Sequence, residues 1–206
     1  MNTLLSHIEA RITQWFHDYP VPAHGADHAK RVAVYADRIA RAEQTDSFFV
    51  LCSSWFHDIG RVPEYYPESF PQYKKGERHQ ELSYLLLREW FCEDRAFDVL
   101  SDEQKKEILY AVRYHGNDVA DTYQSAMILR DADKLDLMGE IGVDRHVEWV
   151  GGVEKTEPKD FWLRYYSYHW LRTAMAKKIA DDEKMLEPFE RFMKEKLEKE
   201  IEDIVL

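Results

Sequence analysis

The chain has 206 residues, of which 45% are hydrophobic and 14% aromatic, enough apolar material for the core of one globular domain. Its formal net charge of −11 excludes a general nucleic-acid binder, because such proteins need lysine and arginine at the phosphates. No segment approaches the ~18 apolar residues of a membrane span, and the N-terminus lacks a signal-peptide pattern, so we expect a cytoplasmic protein.

Apolar residues recur at helical spacing through the first third of the chain. One stripe runs from Leu4 to Phe16 and is followed by prolines, which end a helix. A second helix is expected over His28 to Ile39. A third begins after Thr45-Asp46, either of which can cap it, and runs to about Ile59 before Gly60.

The same spacing predicts further helices along the rest of the chain. A fourth covers His79 to Trp90, and a fifth opens with a capping-box pattern at Ser101 and reaches His115. A sixth runs from about Ser125 to Met138, and two more are expected from Asp160 to the end. Because strand-like alternation is hard to find and no linker divides the chain, we predict an all-α fold with a single domain over residues 1–206.

Two stretches read as irregular. Residues 61–76 form the longest loop candidate, and residues 142–159 form the other. The first loop carries aromatic side chains that either stack on a substrate or pack the loop onto the body, and we expect packing: Tyr65, Tyr66, Phe70 and Tyr73. Cys52 and Cys92 are expected to be buried thiols rather than a disulfide.

Histidines and aspartates lie in unusually apolar surroundings. Four histidines come from four different predicted helices, and two aspartates lie inside apolar segments; they are His28, His57, His79, His115, Asp58 and Asp133. An unpaired buried carboxylate costs several kcal/mol, so a metal cluster between facing helices explains the set. The alternative for each histidine is a core imidazole bonded to a carbonyl. Asp131 and Asp136 are expected to be helix caps or surface charges.

The tetrapeptide WFHD occurs twice, at residues 15–18 and 55–58. The first copy ends a helix before two prolines, so we expect core aromatics followed by a solvated His17-Asp18. The second copy leads into Gly60. Adjacent His57 and Asp58 can bind one ion only if the helix end is distorted or the ion lies at its edge, and a glycine nearby fits that arrangement.

The ordered pattern of these residues resembles the HD-domain metal-dependent phosphohydrolases. The resemblance rests on His28 in HGADHAKRV, His57-Asp58 in WFHDIGR and Asp133 in ILRDADKLDLMG, and it covers about residues 20–150. It implies a compact helical bundle on which the helices of residues 160–206 pack. It also implies that these four residues hold a divalent metal.

Some branches of that family hold two metals with two additional histidines. His79 and His115 are the candidates, although Gln80-Glu81 replace the small residues that usually follow the first. With both histidines, Asp58 would bridge two ions. A mixed imidazole and carboxylate set suits Mn, Fe, Zn, Ni or Co, with Mg also possible.

The resemblance implies hydrolysis of a small phosphate ester or anhydride, with a nucleotide as the expected substrate, by a metal-activated water. Asp58 and Arg61 are the predicted catalytic residues, and Arg61, Lys134 and His24 the predicted substrate contacts. Arg31 either contacts substrate or partners a carboxylate. Two alternatives stay open: a di-iron oxygenase of HD type, and a non-catalytic module that senses a nucleotide or binds a metal. The oligomeric state is not readable from the sequence.

Overall fold

The computed structural model describes residues 2–205, without the side chains of residues 2, 158 and 200–205. Within residues 2–205 the chain forms α-helices and short 3-10 turns but no strand, which confirms the all-α prediction. No helix in this range is long and apolar enough to cross a bilayer. The helices are α1 (Asn2–Asp18), α2 (Ala26–Ala42), α3 (Ser47–Phe56), α4 (Arg61–Tyr65), α5 (His79–Glu93), α6 (Asp102–Tyr114), α7 (Gln124–Asp136), α8 (Gly139–Val150), α9 (Trp162–His169), α10 (Ala174–Asp182) and α11 (Glu187–Val205).

Helices α2, α3 and α7 form the centre of the fold, where α2 packs chiefly against α3 and α7. One hydrophobic cluster fills the side towards α1 and α5, with Ile12 and Phe56 fully buried. A second fills the side towards α10 and α11, with Leu129 and Phe189 fully buried. Because α2 and α3 contribute to both clusters, the residues at their ends are held on rigid supports.

The helix starts follow the predicted side-chain caps. The Asp46 carboxylate accepts the Phe48 backbone N–H at 2.9 Å at the start of α3. The Ser101 hydroxyl and the Gln104 side chain form the predicted capping box of α6. These bonds satisfy backbone N–H groups that have no partner inside the helix.

Two predictions about secondary structure are wrong. Residues 139–150 form α8, whereas residues 142–159 were expected to be irregular. A Cβ on Gly142 would lie 2.3 Å from the Leu137 carbonyl oxygen, so this glycine lets α8 pack closely against the end of α7. The C-terminal part holds three helices instead of two, because the Thr173 side chain caps a separate α10 by accepting from the Ala176 N–H.

The predicted loop at residues 61–76 begins with α4 and packs onto α1. The Phe70 ring lies 5.5 Å from Trp15 and 5.2 Å from Tyr19, measured between ring centroids. The Tyr66 hydroxyl donates to the Pro20 carbonyl at 2.7 Å. Packing rather than substrate stacking is therefore confirmed for these two aromatic residues, while Tyr65 is 51% exposed.

The first WFHD copy behaves as the sequence predicts. Phe16 is buried, and the Trp15 indole N–H donates to the Ile59 carbonyl at 3.1 Å. His17 and Asp18 are exposed at the end of α1. This copy therefore anchors α1 to the segment that carries the second copy.

The two cysteines are free and differ in exposure. Cys52 is buried in α3, and burial raises its pKa to about 12. Cys92 is exposed, so the prediction that it is buried is wrong: it lies on the outer face near the end of α5.

Candidate metal centre and its cavity

A first cluster of ligand atoms forms between α2, the end of α3 and α7. His28 Nε2 lies 3.1 Å from His57 Nε2 and 3.5 Å from both Asp58 Oδ2 and Asp133 Oδ1. His57 Nε2 lies 3.6 and 3.7 Å from the same two oxygens. Ligands about 2.1 Å from one ion lie roughly 3.0–3.4 Å from each other, so these atoms could surround one ion after small adjustments.

A second cluster uses the other oxygen of Asp58. Asp58 Oδ1 lies 3.4 Å from His79 Nε2 and 3.7 Å from His115 Nε2. The two Nε2 atoms are 3.2 Å apart. Three side chains in each cluster, His28, His57 and Asp58 in the first and Asp58, His79 and His115 in the second, lie close enough together to hold a metal, and Asp133 adds a fourth to the first cluster.

Backbone carbonyls set the tautomers of two of these histidines. His57 Nδ1 lies 2.8 Å from the Ser54 oxygen, and His115 Nδ1 lies 2.6 Å from the Val112 oxygen. A carbonyl oxygen only accepts, so each Nδ1 carries the hydrogen and each Nε2 presents a lone pair to the clusters. This is the orientation in which an imidazole binds a metal.

Asp136 orients His28 from behind the first cluster. Its Oδ2 lies 2.7 Å from His28 Nδ1, and it also accepts from Arg31 Nε at 2.7 Å and from Arg145 Nη1 at 2.8 Å. The prediction that Asp136 is a cap or surface charge is therefore wrong, because it is 2% exposed and paired on three sides. Arg31 is a structural partner of this carboxylate, which is one of its two expected roles.

Asp131 is also buried, contrary to the prediction. Its carboxylate accepts from the Thr173 N–H and hydroxyl, both at 2.7 Å, and from the Arg172 N–H. The raised pKa of Asp131 reflects its burial, which these hydrogen bonds partly offset. Asp131 therefore fixes the start of α10 against α7 and faces away from the clusters.

The charges of the clusters favour a divalent cation. Burial lowers the pKa of His57 and lowers that of His115 to about 3, so both imidazoles are neutral at neutral pH. Burial alone would raise the pKa of Asp58, but its surroundings, including the Arg61 guanidinium, hold it well below its usual range. The Nε2 atoms of His28 and His57, 3.1 Å apart beside two carboxylates, form a donor set that fits transition-metal ions.

Gly60 lets the turn after α3 lie against the start of α5. Its N–H donates to the Ser83 hydroxyl at 2.8 Å, and that hydroxyl donates to the His57 carbonyl at 2.7 Å. A Cβ on residue 60 would lie 2.2 Å from the His79 carbonyl oxygen and 2.3 Å from Ser83 N. The glycine thus allows His57 and Asp58 to lie close to His79. This agrees with the prediction that the helix end is distorted at this point.

Both clusters open into a cavity of about 600 Å³. One side is lined by predicted residues, including Arg61 and His24. Another wall comes from α8 and from the segment that starts α9, and sequence reasoning missed its part within residues 142–159 because that stretch read as irregular. Its main polar members are Arg145, His146, Lys159, Asp160 and Arg164. The helical spacing of Arg145 and Trp149 was the signal that could have found part of this wall.

Two of the three predicted substrate contacts lie at this cavity. Arg61 Nε is 3.6 Å from Asp58 Oδ1, and its guanidinium lies 5.9 Å from the centre of the Trp149 ring. The His24 ring packs edge-to-face on Trp149, with centroids 4.9 Å apart. Burial lowers the pKa of His24 to about 4, so this imidazole is neutral at neutral pH.

Lys134, the third predicted substrate contact, does not line the cavity. Its ammonium pairs with Asp118, and it is absent from the described residues that line the cavity. Successive residues of α7 point about 100° apart, so Lys134 points away from the clusters that Asp133 faces. In the segment of residues 61–76, Lys75 pairs with Glu68 on the surface.

The sequence pattern of the HD domain matches residues 25–138, a stretch that includes every residue of both clusters. The chain belongs to the HD domain family. HD domains bind divalent metals, and the two His/Asp clusters of this chain could hold them.

Solved structures share this fold across almost the whole chain. A protein from an uncultured Thermotogales bacterium, described as a predicted HD superfamily hydrolase, is 23% identical with a TM-score of 0.65, covering 92% of this chain and 91% of its own. A Lactobacillus plantarum protein is 19% identical with a TM-score of 0.69, covering 98% and 99%. Bacillus subtilis YpgQ, solved in complex with ADP, is 17% identical with a TM-score of 0.68, covering 98% and 95%. No curated protein matches the sequence.

Proposed function

We propose that this HD-domain protein is a metal-dependent phosphohydrolase acting on a small phosphorylated compound, with nucleotides as the favoured class. One observation carries the proposal: the two oxygens of Asp58 face two separate histidine pairs at the edge of a cavity that also holds Arg61. This arrangement combines sites for two cations with a protein cation for an anionic substrate.

In this proposal His28, His57, Asp58 and Asp133 hold one ion. Asp58, His79 and His115 would hold a second, so Asp58 would contribute one oxygen to each site. The imidazole-rich set suits Mn, Fe, Zn, Ni or Co, whereas Mg prefers oxygen ligands. Ions bound here supply Lewis-acid polarisation of a phosphoryl oxygen and a water of lowered pKa.

The protein's own groups then bind and orient the substrate. Arg61 donates to phosphoryl oxygens, and a 3.0 Å hydrogen bond from its Nη1 to Glu64 holds the guanidinium at the cavity. His24 presents its Nε2 to the cavity because its Nδ1 faces the Pro22 carbonyl at 3.0 Å. Asp136 keeps His28 in the tautomer that offers Nε2 to the first ion.

Three features support a small substrate of nucleotide type. A cavity of about 600 Å³ has the size of sites for small molecules. Trp149 is 49% exposed beside Arg61, so its ring offers a face on which a base can stack. The ADP complex of YpgQ shows that a protein of this fold accommodates a nucleotide.

The ligand set would also serve a di-iron oxygenase, which makes oxygenation the second candidate. The cations around the cavity favour the hydrolase, since they match an anionic phosphate better than an uncharged substrate. Iron content and Mössbauer spectroscopy of the purified protein separate the two. A mixed-valent di-iron centre without phosphate release would favour the oxygenase.

The direct test is phosphate release from p-nitrophenyl phosphate and a panel of nucleotides with Mn²⁺, Co²⁺, Ni²⁺, Zn²⁺ or Mg²⁺. We expect turnover that disappears on chelation and returns with added metal. Arg61→Met should raise KM more than tenfold, whereas the matched variant Lys134→Met should change it less than twofold. No turnover of any substrate with any ion refutes the hydrolase and favours a non-catalytic module.

A further inference from the structure

Arg164 is a buried cation without an adequate partner. It lines the cavity from α9 and is 4% exposed. Its Nε has no hydrogen-bond partner among the described residues, and its Nη1 reaches only the Asp160 carbonyl, at 3.5 Å. Two more buried atoms of the same lining also lack partners, Arg61 Nε and His146 Nε2.

Burying a charge is costly unless an opposite charge or several hydrogen bonds compensate. No carboxylate among the described side chains forms an ion pair with Arg164. Arg130 provides a contrast: it is also buried and its Nε also lacks a partner among the described residues, but its Nη1 donates to the Ala120 carbonyl and its Nη2 to the Asp121 carboxylate. Arg130 is thus compensated within the fold, whereas Arg164 faces a cavity.

The surroundings of Arg164 include the positive charge of Arg145, which the negative charge of Asp160 offsets only in part. Burial and the nearby Arg145 lower the pKa of Arg164 to about 10, which still leaves it protonated at neutral pH. The Asp160 carboxylate accepts the Glu157 N–H at 2.7 Å, and it forms no ion pair with Arg164 among the described side chains. The Phe189 ring, 5.5 Å from the guanidinium, packs against it without supplying a hydrogen-bond acceptor.

The position of Arg164 differs from that of Arg61. Arg61 borders Asp58 and the second cluster, while Arg164 belongs to the wall built by α8 and α9. Arg145 of that wall already donates its Nε to the Ala23 carbonyl and its Nη1 to Asp136. Arg164 is therefore the guanidinium of this wall with the most unused donor capacity.

We propose that Arg164 binds a second anionic group of the substrate, distinct from the phosphoryl group held at the His/Asp clusters. This inference rests on the proposed function for the identity of the first group. The planar fork of a guanidinium matches the paired oxygens of a phosphoryl or carboxylate group. The substrate class is then a small molecule with two anionic groups, and Arg164 selects it over a simple monoester.

The test is calorimetric binding to the protein as purified with its metal. The ligands are inorganic phosphate, with one anionic group, and diphosphate, triphosphate and phosphoglycolate, with two or more. Arg164→Gln should raise the Kd of at least one of the larger ligands about ten- to hundredfold and should change the Kd of phosphate less than twofold. Arg38→Gln, which removes an exposed arginine paired with Glu183, is the control and should change none.

The proposal is overturned if the Kd of every ligand for Arg164→Gln stays within twofold of wild type. It is also overturned if phosphate binding weakens as much as binding of the larger ligands. If Arg164→Gln does not fold, the same titrations are made with Arg164→Lys, which keeps the positive charge but loses the planar guanidinium. A loss above threefold that is confined to the larger ligands supports the role, and no such loss refutes it. If the wild-type protein binds these ligands but turns over no substrate, the proposed function is refuted and this site is not. If the wild-type protein is active and Arg164→Gln leaves its turnover of every substrate unchanged, this site is refuted and the proposed function is not.

Discussion

Substituting Gly60 by alanine tests how the turn after α3 builds both clusters. The added Cβ would lie 2.2 Å from the His79 carbonyl oxygen and 2.3 Å from Ser83 N, both backbone atoms at the start of α5. Restoring ordinary contact requires α5 to move by about 1 Å, and overpacking of this kind typically costs about 1–3 kcal/mol. Loss of the Gly60–Ser83 hydrogen bond adds about 1 kcal/mol.

We therefore expect Gly60→Ala to lower the free energy of unfolding by about 2–4 kcal/mol in urea titrations. The shift should also move His79 away from Asp58, so metal content measured by mass spectrometry should fall by at least one ion per chain. Gly76→Ala is the control: a Cβ there meets nothing within 4 Å, and only its φ of +79° is strained. A Gly60→Ala protein with wild-type stability and metal content would refute this account of the turn.

Other predictions follow from contacts around the clusters. Asp136→Asn should weaken metal binding about ten- to hundredfold in competition titrations, because His28 loses its charged partner. The control is Asp27→Asn, which removes the exposed partner of Arg31 and should leave metal binding unchanged. Equal effects of the two variants would contradict the role of Asp136. Removing metal with a chelator should lower the melting temperature by about 5–15 °C, since ions at 100–1,000 times their Kd stabilise the native state by about 3–4 kcal/mol; an unchanged melting temperature would contradict metal binding to the folded protein.

The sequence pattern identified side chains that lie together in the clusters, but it did not reveal residues whose burial depends on partners far away in the sequence. The six side chains of the two clusters were selected from their order and setting in the sequence, and the structure brings all six close together. Asp136 was misjudged because its burial depends on Arg31, 105 residues away in the sequence, and on Arg145. Nothing in the local sequence around Asp136 shows those partners.

The same reasoning explains why part of the cavity was missed. Residues 142–159 were expected to be irregular, but Gly142 lies inside α8, where its lack of a side chain permits close approach to the Leu137 carbonyl. Lys134 was assigned to the cavity from its position beside Asp133, but helical geometry points it at Asp118 instead. Arg164 became visible only when its burial and missing partners could be measured.

The central claim is that Asp58 bridges two metal ions that are needed for phosphate release. The most direct measurement combines metal content with turnover for wild type, Asp58→Ala and His17→Ala, the last from the exposed copy of WFHD. We predict two ions per chain and turnover in wild type and His17→Ala, and loss of both in Asp58→Ala. An Asp58→Ala protein that keeps its metal and activity, or equal losses in the two variants, would contradict the claim.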